Sequence, residues 1–131
     1  MSKSSDPSDP LAWVARAEED YSLARVSLRH KPPLRYGACF HAQQCAEKYL
    51  KAILVSRSKS FPKTHDLVHL HDLCHKAGVL IGMRLDQLSI LSSYAVRIRY
   101  PGDDPMPDEA REAVDYAKVV RRFVRKLFGL K

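Results

Sequence analysis

The sequence lacks the features by which several large classes of protein are recognised. It has no apolar run near the ~20 residues needed to cross a bilayer and no segment with the sustained two-residue alternation of a β-strand. It also has no glycine-rich phosphate loop, no Cys-x-x-Cys pair and no serine, histidine and acid in a hydrolase order. These absences argue against a membrane span, a β-rich fold and the common hydrolase, kinase and redox enzymes.

Cysteine is scarce and odd in number. Cys39, Cys45 and Cys74 lie within apolar helical patterns, and the chain does not begin with the charged and apolar regions of a signal peptide. We therefore expect free thiols and a reducing, cytoplasmic location.

The length of 131 residues suits one domain that buries roughly two thirds of its unfolded surface. Residues 1–10 are rich in Ser, Asp and Pro and predict a flexible leader, because such a segment buries too little apolar surface to offset its ordering entropy. The predicted domain spans residues 11–131.

The net charge of +7 is concentrated near the C-terminus. Two interpretations remain open. The cations can simply suit the negative end of a helix dipole, or they can form a face that binds nucleic acid or an acidic partner. They are Lys118, Arg121, Arg122, Arg125, Lys126 and Lys131.

Apolar residues recur at helical spacing between proline and glycine breaks, and they predict an all-α, up-and-down bundle of four to five helices. Asp9 and Pro10 form a helix start, and Asp66 or Thr64 can cap a short third helix. The predicted helices cover residues 10–30, residues 35–57, a segment ending at Gly78, residues 83–99 and a segment beginning at Pro107.

Polar residues break two of the apolar faces. On helical wheels Gln43 and Glu47 fall within or beside the apolar arc of the second helix, and Arg99 falls within that of the fourth. A carboxylate buried alone costs several kcal/mol, so Glu47 needs a partner. We expect Glu47 to meet Arg99, with Gln43 and Tyr100 nearby. The alternatives are a pair that only fixes helix register, a site that contacts a phosphate or a base, and no contact between the two side chains at all.

The same residues carry a family resemblance. Tyr36 to Leu54, which reads YGACFHAQQCAEKYLKAIL, resembles the second helix of HEPN-domain proteins. The segments Pro62-x-Thr64-His65-x-Leu67 and Arg99-Tyr100-Pro101-Gly102-Asp103 also resemble that family and follow in the same order. The match covers roughly Leu11 to Phe128.

The resemblance implies a compact helical bundle, usually a homodimer, with a polar cleft near the dimer interface. Such domains are often encoded beside a minimal nucleotidyltransferase, and they are described as nucleotide-binding modules or as ribonuclease toxins in a toxin–antitoxin pair. The expected cleft residues are Gln43, Glu47, Lys51, His65, Arg97, Arg99 and Tyr100.

The ribonuclease branch of the family carries an arginine followed four to six residues later by a histidine, which serves in proton transfer or positioning. No histidine stands at those distances from Arg97 or Arg99, and none follows His75. We therefore expect a non-catalytic module that binds a nucleotide or RNA, without cofactor or metal. The alternatives are a divergent ribonuclease that uses His41 or His65, and a purely structural interaction domain.

Two further patterns have more than one interpretation. The segment from His65 to His75 is dense in potential metal ligands, but its histidine pairs lie on different helix faces without an HExxH arrangement, which favours capping and surface roles. Trp13 and Tyr21 share helical spacing on the first helix and favour core or dimer packing over a base-stacking platform.

Overall fold

The computed structural model describes residues 5–96 and 100–131, and five α-helices lie within these ranges. No residue in them belongs to a β-strand, so the predicted all-α bundle is confirmed. The helices are α1 (Pro10–Arg29), α2 (Arg35–Ser56), α3 (Leu67–Lys76), α4 (Leu85–Ser93) and α5 (Pro107–Leu127).

Helix α2 is the central element, because it packs against each of the other four helices. It is buried on several sides, and small side chains such as Ala38, Ala42 and Ala46 let its neighbours approach closely. No helix in the described ranges is long and apolar enough to span a bilayer.

Helix ends follow the local sequence signals. The Asp9 side chain accepts a hydrogen bond from the Leu11 amide (3.0 Å) and Pro10 begins α1. Asp66, and not Thr64, caps α3 by accepting from the amides of Val68 and His69. Beyond α3, Gly78 adopts a φ of 88°, which glycine does without steric cost.

Helix α4 is shorter than the periodicity predicted. It ends at Ser93 and turns over residues 94–96, so the predicted helix is wrong there, while residues 97–99 lie outside the described part of the chain. Its last turn holds two serines whose hydroxyls bind backbone groups: Ser93 Oγ donates to Ile90 O (2.6 Å) and Ser92 Oγ to His65 O (3.1 Å). The Ser93 bond lies within its own helical turn, and local bonds of this kind compete with helix continuation.

Candidate functional site

The centre of the candidate site is Glu47, whose carboxylate lies on α2 with only 4% of the residue exposed. One oxygen, Oε1, lies 2.7 Å from His65 Nδ1 and accepts from Gln43 Nε2 at 3.2 Å. The other oxygen accepts from Lys51 Nζ at 2.9 Å. Glu47 thus has the partners that its burial requires. We call Gln43, Glu47, Lys51 and His65 the Glu47 cluster.

Helices α2 and α4 hold His65 in place before α3. Its carbonyl oxygen accepts from Gln43 Nε2 of α2 (3.0 Å) and from Ser92 Oγ of α4 (3.1 Å), and the same hydroxyl accepts from the Leu67 amide (2.9 Å). An ionised carboxylate only accepts, so Nδ1 of His65 donates to Glu47. The imidazole side chain is 63% exposed, and its Nε2 makes no hydrogen bond within the described residues.

Lys51 neutralises the charge of Glu47 within the cluster, and its ammonium group is held in a fixed position. Its ammonium lies 5.8 Å from the Trp13 ring centroid and 5.6 Å from that of Phe61. These two rings contact each other edge to face, with centroids 5.8 Å apart. Cation–π attraction and the Glu47 carboxylate together fix the position of the ammonium group.

A second cluster, which the sequence reasoning missed, lies between α1 and α2. The Asp20 carboxylate, 6% exposed, contacts His41 Nδ1 (2.9 Å) through one oxygen and accepts from Lys48 Nζ through the other. We call Asp20, His41 and Lys48 the Asp20 cluster. The signal for it was present, since Asp20 lies between Ala17 and Ala24 on the apolar face of α1, as Glu47 does on α2.

The C-terminal cations divide into two groups. Arg121 and Arg125 of α5 contact the Glu18 carboxylate of α1, which also accepts from the Tyr49 hydroxyl. The hydrogen bond to Glu18 raises the pKa of Arg121. By contrast, the side chains of Lys118, Arg122, Lys126 and Lys131 are exposed and have no ion pair within the described ranges. Two of the predicted cations therefore connect helices.

The structure describes one of the three remaining predicted site residues. Tyr100 is described and is 73% exposed. Arg97 and Arg99 lie outside the described residues, so the predicted contact between Glu47 and Arg99 stays a prediction. The structure thus brings together Gln43, Glu47, Lys51 and His65 of the predicted set.

The histidine-rich segment serves several unrelated contacts. His65 contacts Glu47, and buried His71 places its Nε2 3.3 Å from Ile81 O, whereas His69 and His75 are exposed. Within residues 5–96 and 100–131, no group of three or more His, Cys, Asp or Glu side chains could hold a metal ion.

Comparison with known proteins assigns the family. The family model described as "HEPN domain" matches residues 11–127. The crystal structure of TT1696 from Thermus thermophilus is similar, with a TM-score of 0.71 and 25% identity over 89% of this chain and 96% of that one.

A second solved structure, ST0689, described as an archaeal HEPN homologue, has a TM-score of 0.65 and 23% identity over 91% of this chain and 97% of its own. No curated protein matches the sequence significantly. Because the family model covers nearly all of the five-helix bundle, the chain belongs to the HEPN domain family.

Proposed function

We propose that this HEPN protein is a non-catalytic module that binds a nucleotide or an RNA segment beside the Glu47 cluster. The observation that carries the proposal is the His65 imidazole, which a buried carboxylate holds at the surface with Nε2 free of partners among the described residues. A fixed polar group loses little conformational entropy on binding, which favours its use as a ligand contact.

Two further properties of the chain support this role. The exposed ring of Tyr100 offers a face on which a base can stack, and the net charge of +7 attracts phosphates. Arg97 and Arg99 are proposed as further phosphate contacts from their positions beside Tyr100 in the sequence. Lys51 and Gln43 position Glu47 and His65 in this scheme.

The test is the affinity for a labelled single-stranded RNA, measured by fluorescence anisotropy. His65→Ala should weaken binding about fivefold, the equivalent of ~1 kcal/mol for one hydrogen bond. The matched control is His75→Ala, which removes an exposed imidazole from α3 whose side chain makes no hydrogen bond or ion pair within the described residues. Equal affinities of the two variants would exclude His65 from the binding surface.

A divergent ribonuclease is the second candidate, and one observation favours it. A buried carboxylate binds Nδ1 of His65, and another binds Nδ1 of His41. Nε2 of each imidazole is thereby left for proton transfer, as in a general base that an acid orients. Incubation with a mixed RNA pool, with and without a chelator, tests this candidate. Cleavage that is lost in folded His65→Ala or His41→Ala would replace the binding module with an enzyme.

The proposed partners are a second copy of the chain and a minimal nucleotidyltransferase. Exposed apolar side chains on the outer helices, Leu23 and Val26 of α1 and Val119 and Leu127 of α5, support association. Light scattering after size-exclusion chromatography measures the self-association. Co-purification with a co-expressed minimal nucleotidyltransferase tests the second partner, and a monomer that does not retain this enzyme would contradict both.

A further inference from the structure

Cations converge where α1 packs against α5. The Arg121 guanidinium lies 4.7 Å from the centroid of the Tyr21 ring, and the Arg25 guanidinium lies 5.6 Å from the same centroid. Arg121 and Arg125 share the Glu18 carboxylate, whereas Arg25 has no ion pair within the described residues. This contact between the helices therefore carries more positive than negative charge.

The antiparallel course of the two helices adds a further cation. Glu18 of α1 contacts Arg121 of α5, and the C-terminal end of α1 lies beside the first turn of α5. Lys118 precedes Arg121 by one turn on the same face, which places it level with the turn of α1 that carries Arg25. Lys118 is exposed and makes no ion pair in the described ranges, and Asp115, one turn earlier, limits the basic surface at that end. We call the surface formed by Arg25, Lys118, Arg121 and Arg125 the basic seam.

Exposed aliphatic side chains accompany the cations of the seam. Val26 follows Arg25 and Val119 follows Lys118, and both valines are exposed. The Tyr21 ring beneath the guanidiniums is buried, so a base cannot stack on it. Binding of single-stranded nucleic acid uses accessible aromatic rings, whereas a protein surface offers apolar side chains together with charges. The seam therefore favours an acidic protein over RNA.

The charge of the seam also disfavours a second copy of the chain as its occupant. A two-fold interface pairs a surface patch with itself, so the same cations would face one another. Self-association would have to use apolar residues beyond the seam, such as Leu23 and Leu127. Two antiparallel helices form a groove into which a third helix packs. The shape and the charge together suit a helix rich in acidic residues.

We propose that the basic seam binds an acidic amphipathic helix of a partner protein. Carboxylates of this helix contact Arg25 and Lys118. Its aliphatic side chains pack on Val26 and Val119. A guanidinium pairs with a carboxylate through two parallel hydrogen bonds, and complementary charge accelerates the encounter and excludes basic partners. The Glu47 cluster has no part in this contact, so the proposal is independent of nucleotide or RNA binding.

The probe is a fluorescein-labelled peptide of about 16 residues with glutamate and leucine at helical spacing, a length at which isolated helices begin to form. Fluorescence anisotropy measures its affinity for the full-length protein at low salt. Arg25→Ala should weaken binding about fivefold, the equivalent of ~1 kcal/mol. Lys118→Glu, which places a carboxylate in the seam, should weaken binding at least about tenfold. The same peptide with glutamine in place of glutamate should not bind.

The matched control is Arg16→Ala, which removes an exposed arginine from the opposite side of α1, where it lines a cavity with Lys48 of α2. This variant loses the same charge as Arg25→Ala and should bind the peptide like wild type. Arg25 and Lys118 are exposed, so their replacement should leave the helices intact. Circular dichroism and thermal melting establish that each variant is folded.

The outcomes distinguish the possible occupants of the seam. Equal affinities of Arg25→Ala and Arg16→Ala for the peptide, or equal binding of the glutamine peptide, would overturn the proposal. If Arg25→Ala weakened the binding of labelled RNA but not of the peptide, the seam would be a nucleic-acid surface. A dimerisation equilibrium that shifts in the seam variants but not in Arg16→Ala would assign the seam to a second copy. His65→Ala should leave peptide binding unchanged, so this proposal and the proposed function fail separately.

Discussion

Arg121 of α5 binds Glu18 of α1 through two nitrogen atoms, Nε at 2.8 Å and Nη2 at 3.1 Å, and so joins the first and last helices of the bundle. The same guanidinium lies 4.7 Å from the centroid of the Tyr21 ring. A planar group in a bidentate pair and over an aromatic ring is not replaced by lysine without loss. Part of the basic C-terminal sequence therefore serves the fold.

This pair predicts different effects for neighbouring arginines. Arg121→Ala should lower the free energy of unfolding by about 1 kcal/mol, because the partly exposed pair is weakened by solvent while its packing on Tyr21 is lost. Arg122→Ala, next along the helix and exposed, should change it by less than about 0.5 kcal/mol. Urea denaturation of both variants measures the difference, and equal midpoints would contradict a structural role for Arg121.

The Asp20 cluster gives a second stability prediction. Asp20→Ala leaves Lys48 and His41 without their shared carboxylate, and we expect a loss of about 2 kcal/mol, less than for a fully buried pair because both partners reach water. The control is Asp72→Ala, which removes the exposed pair with Lys76 and should cost about 0.5 kcal/mol or less. A loss in Asp20→Ala no larger than in the control would mean that solvent already screens the cluster.

How much of the structure could be predicted from the sequence depends on how far apart in the chain the interacting residues lie. Asp9, Pro10 and Gly78 act on their own helix ends, so those boundaries were predictable. The burial of Glu47 followed from its place on one helical wheel. Its partner His65 did not, because a wheel carries no information on which loop packs against a helix, and His65 lies in a segment without periodicity.

Asp20 was predictable by the argument used for Glu47, since both carboxylates interrupt an apolar face. The end of α4 was harder to predict from the sequence. Leu88, Leu91 and Tyr94 keep helical spacing, and the contacts of the Ser92 hydroxyl become evident only when His65 and Leu67 are placed beside it. Long-range polar contacts therefore account for most of what the sequence did not predict.

The buried thiols predict a pH-dependent loss of stability. Burial raises the pKa of Cys74 to about 12, and burial followed by the charge of Asp20 raises the pKa of Cys45. Folding favours the protonated thiol, so this stabilisation is fully present below the unfolded pKa of about 8.5 and disappears as the pH rises toward about 12. Cys74→Ala should reduce the slope of unfolding free energy against pH across that interval.

Thiol labelling provides the measurement that does not depend on unfolding curves. Near pH 8 we expect the thiols of native Cys45 and Cys74 to react with a disulfide reagent far more slowly than those of the denatured chain, because both the burial and the low thiolate fraction oppose attack. Fast labelling of the native protein at both positions would show that the core opens readily.

The Glu47 cluster gives the sharpest test of coupling, because its two charged members are both almost fully buried. Glu47→Ala leaves the Lys51 ammonium without its carboxylate, and Lys51→Met leaves the Glu47 carboxylate with His65 and Gln43 alone. Each single change should cost about 3 kcal/mol, since an unpaired buried charge is strongly unfavourable.

The double variant should cost less than the sum by at least about 1 kcal/mol, because neither charge is left alone. A double-mutant cycle from guanidinium denaturation gives this number, and simple additivity would mean that water replaces either partner and that Glu47 and Lys51 are not coupled as a buried pair.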